Sequence, residues 1–431
     1  MSEKYSDSPD QKEVHELEYD AATVEGRTGS SMGAYYNIVS IIAGTGTLQL
    51  PFALHQAGWV GALIVVIATM MAIYTGNLLI KCLYYDGVNR LHDIPAVGEA
   101  AFGKPGKYFL RVFHYSILLG ATCIYIMLIG INLNQLMEMV DVHLGQKVWI
   151  IIGAIVVLIP YLFLKTVKEV AWLSAMGVLT TGCVIIICVV AGLIEFKQKN
   201  LNNNHDTVIW SNLPISLGSI CFSFGGNVIY PHVEAGMRNP KAWNKVLSCA
   251  IMTVCVMYLL ISIVCYYVYG TETQSPIYNN LTGGGKISAI ILITVHIIMA
   301  SPLYLTSFAN EMEDLLKIDR QHHSKAREFI LRSILRTFIL ASTTLVAMYV
   351  PYMSDFMSLI GSLSYSIILF MAPVTLYIKL YGFKKLAKWE MVACFLIMVI
   401  ALAACILGTK DSLLQFQKSV RLGHSAATSG H

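Results

Sequence analysis

The stretch "IIAGTGTLQLPFAL", residues 41–54, opens as an apolar helix and then breaks its own pattern. Gly44, Thr45 and Gly46 interrupt the run, and Pro51 follows Gly46 by five residues. Glycine loosens the backbone, and proline inside a helix removes a hydrogen bond. In an apolar setting the freed N–H and C=O groups cannot turn to water. Such a break must be buried in protein or meet a ligand.

The setting is apolar along nearly the whole chain. Of 431 residues, 56% are hydrophobic and 13% charged, whereas a soluble globular chain carries about a quarter charged residues. The apolar residues fall into blocks of about 20, the length of a bilayer-crossing helix. Eleven blocks are readable, at 34–54, 58–80, 110–138, 148–165, 170–194, 213–236, 246–270, 286–312, 328–350, 354–379 and 388–408. The fold class is therefore an all-α polytopic membrane protein embedded in a lipid bilayer. The linkers are short and polar and leave no room for a second soluble domain. Residues 1–33 form a polar stretch without the pattern of a signal peptide and read as a disordered cytosolic tail. Residues 409–431 read as a C-terminal tail.

Basic residues concentrate on the cytosolic side of membrane proteins. With a cytosolic N-terminus, the internal linkers facing the cytosol hold 20 Lys and Arg and the opposite linkers hold 4. The expected topology is thus a cytosolic N-terminus and a non-cytosolic C-terminus. The "NLT" at Asn280 is a glycosylation candidate, and it falls on the non-cytosolic side. The net charge of +4 reflects those loops and implies no nucleic-acid partner. The ten cysteines contain no C-x-x-C and no zinc spacing with His, so they read as small apolar packing residues. No metal or cofactor is expected.

A second break answers the first. "SICFSFGGNVIYPHVEAG", residues 219–236, is interrupted by Gly225 and Gly226, with Pro231 five residues after Gly226. Five spans separate the two, so they run in opposite directions. Broken helices at matching positions of the two halves mark an inverted repeat and point to the binding site. The halves are 34–194 and 213–379, with an eleventh helix at 388–408. Half-helix N-termini there offer N–H donors to a carboxylate, and C-terminal ends offer carbonyls to a cation.

"GTGTLQLPFALHQAGW" and "FSFGGNVIYPHVEAGMRNPKAW" resemble the first and sixth helices of the amino acid/auxin permease family, and "AFGKPGKYF" before span 3 is similar to it as well. That family lies within the amino acid–polyamine–organocation superfamily, whose fold is LeuT-like. The resemblance covers residues 32–408 and implies secondary active transport of amino acids, coupled to protons or, in some branches, to sodium. It implies that Ala43, Gly44, Thr45 and Gly46 give backbone donors to the substrate carboxylate. Ser223, Phe224, Gly225 and Gly226 would shape the facing wall, and Tyr125, in mid-span 3, would line the pocket. A sodium site would use Thr306 and Ser307 in span 8. Some proton-coupled relatives carry a lysine in span 5, and "AWLSAMGVLTTGCVIIICVVAG" has none. His296, inside span 8, can titrate near neutral pH, while His114 reads as interfacial and Glu138 and Glu234 as water-reached span ends. The membrane is expected to be the plasma membrane or a vacuolar or lysosomal one.

Other function classes leave weaker marks. A channel calls for rings of charge or symmetric pore helices, and a membrane enzyme calls for a clustered metal or nucleophile motif; neither pattern occurs. A transporter-like sensor would keep the same fold and pocket, and sequence leaves it open.

Overall fold

The computed structural model describes residues 27–87, 90–163, 171–199, 204–318, 322–349, 352–383 and 386–429. Residues 1–26 of the expected tail, and the linker at 165–169, lie outside the described residues. Among the described residues, regular structure is helical apart from one isolated parallel bridge between Gly29 and Met237.

The first expected span is two helices, α1 (Ser31–Ile42) and α2 (Thr45–Ala57), bent by 46° at the break. The Ser30 hydroxyl caps α1 by accepting from the Gly33 amide at 2.9 Å, as a serine before a helix does. Pro51 lies within α2 rather than at the break. α3 (Val60–Leu83) returns across the membrane. α4 (Ile94–Glu138) is capped by Asp93 and contains a non-helical residue at Gly103, where φ is +71°. The "AFGKPGKYF" segment, expected as a loop, is therefore two helical pieces hinged on a glycine that tolerates positive φ.

α5 (Gln146–Phe163) and α6 (Ala171–Lys199) complete the first half. The sixth expected span is again two pieces, α7 (Leu213–Ser223) and α8 (Tyr230–Gly236). α9 (Trp243–Tyr269), α10 (Gly283–Leu315) and α11 (Lys325–Tyr349) follow. α12 spans Met353–Tyr381, and its middle, Gly361–Met371, is a π-helix. α13 crosses as Lys388–Arg421, and its helical backbone continues to Ser429, beyond the expected end at 408. Nine helices among the described residues are long and apolar enough to cross a membrane. With the bent α1–α2 pair taken as one span they make ten, and the shorter α7–α8 pair stands where the sixth span was expected.

Burial separates the inner helices from the outer ones. The apolar window of α4 is 78% buried, while those of α5, α11 and α13 are each 28% buried. Ile151, Ile155 and Ile159 on α5, and Phe395, Val399 and Leu402 on α13, point outward at helical spacing. Apolar stripes at i, i+4 that face away from the protein are suited to hydrocarbon.

Candidate functional site

The two breaks lie against each other in a crosswise register. A Cβ on Gly46 would stand 2.6 Å from the Cα of Ser223, the last residue of α7. A Cβ on Gly226 would stand 2.8 Å from Cγ1 of Ile42, the last residue of α1. The Ser223 hydroxyl donates to the Gly46 carbonyl at 3.2 Å. Each break thus places a glycine on the end of the other's first half-helix, as a two-fold-related pair would. Gly46 and Gly226 therefore allow close contact between the two half-helices.

The backbone donors are fewer than expected. The Ala43 amide donates to Val39 and the Gly44 amide to Ile42, at 2.7 and 2.8 Å. The amides of Thr45 and Gly46 open α2, where no intrahelical acceptor exists, and Gly44 has no side chain with which to cap them. Those two N–H groups carry the positive end of the α2 dipole.

Gly44 faces two polar atoms. A Cβ there would lie 3.0 Å from the Tyr125 hydroxyl and 3.4 Å from Nε2 of His296. His296 is fully buried, and its Nδ1 is 3.0 Å from the Gly177 carbonyl and 3.3 Å from the Thr181 hydroxyl. A carbonyl only accepts, so Nδ1 carries the hydrogen and Nε2 presents a lone pair. That Nε2 is buried with no hydrogen-bond partner among the described residues.

The second break is lined by tyrosines. Gly225 sits on the ring of Tyr365, so closely that no Cβ would fit. Its carbonyl accepts from Tyr304 at 3.3 Å, and Tyr304 meets Tyr125 edge to face, ring centres 5.6 Å apart. Phe224 is fully buried with its ring against Tyr258, centres 5.3 Å apart. Asn227 donates to the Ile368 carbonyl at 2.7 Å, inside the π-helical part of α12, a backbone form that recurs at functional sites.

Tyr258, Tyr304 and Tyr365 were missed in the sequence. A signal for the first existed, since Tyr258, Ser262 and Tyr266 form an i, i+4, i+8 polar stripe on an apolar helix.

Thr306 and Ser307 behave differently from each other. Ser307 donates to the Leu303 carbonyl of its own helix at 2.9 Å, the ordinary fate of a serine in an apolar helix. The Thr306 hydroxyl is buried without a partner among the described residues. Among the described hydrogen bonds, none joins either residue to α1 or α2. Asn280, in the loop between α9 and α10, donates to the Glu272 carbonyl and accepts from the Gln274 amide.

Polar groups at the face where α1 begins are more deeply placed than expected. Glu234, read as a water-reached span end, is fully buried. Its Oε1 accepts from Arg27 at 3.1 Å and Tyr84 at 2.6 Å, and its Oε2 accepts from Arg90 at 2.7 Å. Arg90 also donates to the Pro231 carbonyl. Arg27 and Gly29 belong to the expected tail, yet Gly29 exchanges backbone bonds with Gly236 and Arg238 at 2.9 and 2.7 Å. His114, read as interfacial, is buried and 3.0 Å from Glu311. Glu138 does lie at an exposed helix end, where it accepts from Asn134 at 2.7 Å.

The family described as transmembrane amino acid transporter protein matches residues 27–412. The chain belongs to that family. It is 25% identical to amino acid transporter AVT1I of Arabidopsis thaliana, over 89% of this chain and 95% of that protein. It is 28% identical to the vesicular inhibitory amino acid transporter of Rattus norvegicus, over 83% and 70%. Among solved structures it is similar to the manganese transporter of Eremococcus coleocola, with a TM-score of 0.58, 10% identity and coverage of 99% and 94%. A Na+-coupled sialic acid symporter gives 0.57, 12%, and coverage of 93% and 97%. MHP1, a nucleobase-cation-symport-1 family transporter, gives 0.56, 11%, and 92% and 94%. At such identities the solved structures speak for the fold alone, which is LeuT-like. The paired breaks and their crosswise contacts are the inverted repeat of that fold.

Proposed function

We propose that this protein is a secondary active transporter of neutral amino acids, coupled to protons, working by alternating access around the two breaks. Family membership makes it a membrane amino acid transporter; the substrate class and the coupling are read from the residues around the breaks. The Thr45 and Gly46 amides receive the substrate carboxylate. The Gly225 carbonyl stands ready to accept from its ammonium group. None of Tyr125, Phe224, Tyr304 and Tyr365 carries a fixed charge, which suits a neutral side chain.

The observation that carries the coupling is His296. Its Nε2 is a buried lone pair without a partner among the described residues, beside the glycine at the first break. A group of that kind gains most from a proton when the site holds a carboxylate. One proton crossing 100 mV is worth about 2.3 kcal/mol, enough for roughly 50-fold accumulation of a neutral substrate. Sodium coupling keeps one observation, the unpartnered hydroxyl of Thr306. The N-terminus is taken as cytosolic, in a plasma or vacuolar-type membrane.

The test is uptake of an amino acid panel in sodium-free buffer, with and without a proton ionophore. Accumulation without sodium, abolished by the ionophore, is the expected result. Strict sodium dependence refutes it. His296→Ala is expected to flatten the pH dependence of uptake, and an unchanged pH profile would remove the histidine from the mechanism.

A further inference from the structure

The two breaks converge on one hydroxyl. Tyr258 lies in α9 and is fully buried. Its hydroxyl oxygen stands 2.6 Å from the carbonyl of Ile42 and 2.5 Å from the carbonyl of Ser223. These residues end α1 and α7. The last carbonyls of a helix lack an intrahelical donor and carry the negative end of its dipole. Two such ends aimed at one point form a position suited to a cation. A protein side chain fills it instead, and a tyrosine hydroxyl brings one hydrogen for two acceptors.

We infer that Tyr258 is the positioning residue of the two breaks. Its hydroxyl ties the C-terminal ends of α1 and α7 together, in the place a bound cation would otherwise take. The inference rests on the reading that the breaks hold the substrate and goes beyond it in two respects. The spacing of the two walls is set by a fixed donor, so substrate affinity depends on a hydroxyl that need not touch substrate. The Tyr258 hydroxyl also fills the space between the Ile42 and Ser223 carbonyls, so no sodium ion is held there. The substrate ammonium is left with the Gly225 carbonyl, whose bond from Tyr304 is long at 3.3 Å.

The test is Tyr258→Phe, which keeps the ring against Phe224 and removes only the hydroxyl. The KM for the transported amino acid is expected to rise tenfold or more, about 1.4 kcal/mol, with Vmax per molecule little changed. In the wild type, KM is expected to be the same in sodium and in choline buffers. A purely structural role would lower protein abundance and leave KM alone. An unchanged KM in the variant, or a wild-type KM that depends on sodium, overturns the assignment. Hydrogen–deuterium exchange of the purified protein gives a readout that needs no transport. Amides at 43–46 and 224–229 are expected to exchange faster in Tyr258→Phe, and equal exchange refutes the tie. If the wild type carries no amino acid while exchange still differs, the transport reading fails and the Tyr258 assignment stands.

Discussion

Replacing Glu234 by alanine is expected to open the protein on the face where α1 begins. The carboxylate is fully buried, and three donors from different parts of the chain converge on it: Arg27 just before α1, Tyr84 just after α3, and Arg90 in the following linker. The two guanidinium groups are themselves only 9% and 13% exposed. Removing one partner of a buried pair leaves an uncompensated charge and costs about 3–5 kcal/mol. Under the proposed alternating access the cost falls on the arrangement in which these segments are joined, and not on one in which they part to admit water. At about 1.4 kcal/mol per factor of ten, the balance shifts a hundredfold or more toward the open form. The measurement is alkylation of Cys82, buried at the end of α3, by a membrane-impermeant maleimide applied from that face. Labelling should accelerate sharply and uptake should collapse, whereas Glu234→Gln, which keeps acceptor capacity, should fall between. Wild-type labelling together with wild-type uptake in Glu234→Ala would show that the cluster does not hold this face shut.

That cluster also shows where the sequence stops being readable. Hydropathy revealed the crossings, because an apolar helix of spanning length has few alternatives to lying in a bilayer. The breaks were legible for a related reason, since irregular backbone in an apolar run has to be excused by glycine and proline. The partners were not legible. Glu234 looked like a span end because a carboxylate beside a basic loop normally reaches water, and its pairing with Arg27 and Arg90 spans 207 and 144 positions. Tyr258 was hidden in the same way, as one of 23 tyrosines whose bond to Ile42 joins residues 216 apart. The first piece of α4 escaped notice because it is too polar to look like a span. The close contact of Gly46 with α7 was not legible either, since nothing local tells a glycine that admits a ligand from one that also admits another helix.

The same distinction yields a test at Gly225, where Gly225→Ala is expected to lower uptake by tenfold to a hundredfold. A Cβ at this position would lie inside the ring of Tyr365, which is fully buried and cannot swing away without opening its own surroundings. Overpacking of a tight interior costs about 1–3 kcal/mol. The atoms in the way are ring carbons, so Tyr365→Phe should bring no relief to Gly225→Ala. Tyr365→Leu, which removes the flat edge, should restore much of the lost uptake. A double-mutant cycle isolates that coupling from the separate effects of the two changes. The control is Gly182→Ala in α6, where a Cβ would meet nothing within 4 Å, and uptake should hold. If Gly225→Ala fails equally with every residue at 365, the glycine is reserved for substrate and not for the tyrosine. If Gly225→Ala transports normally, the second break has more room than the packing of Tyr365 allows. Recovery with leucine but not phenylalanine would establish that the wall of the second break is a packed aromatic surface, with glycine serving as its complement.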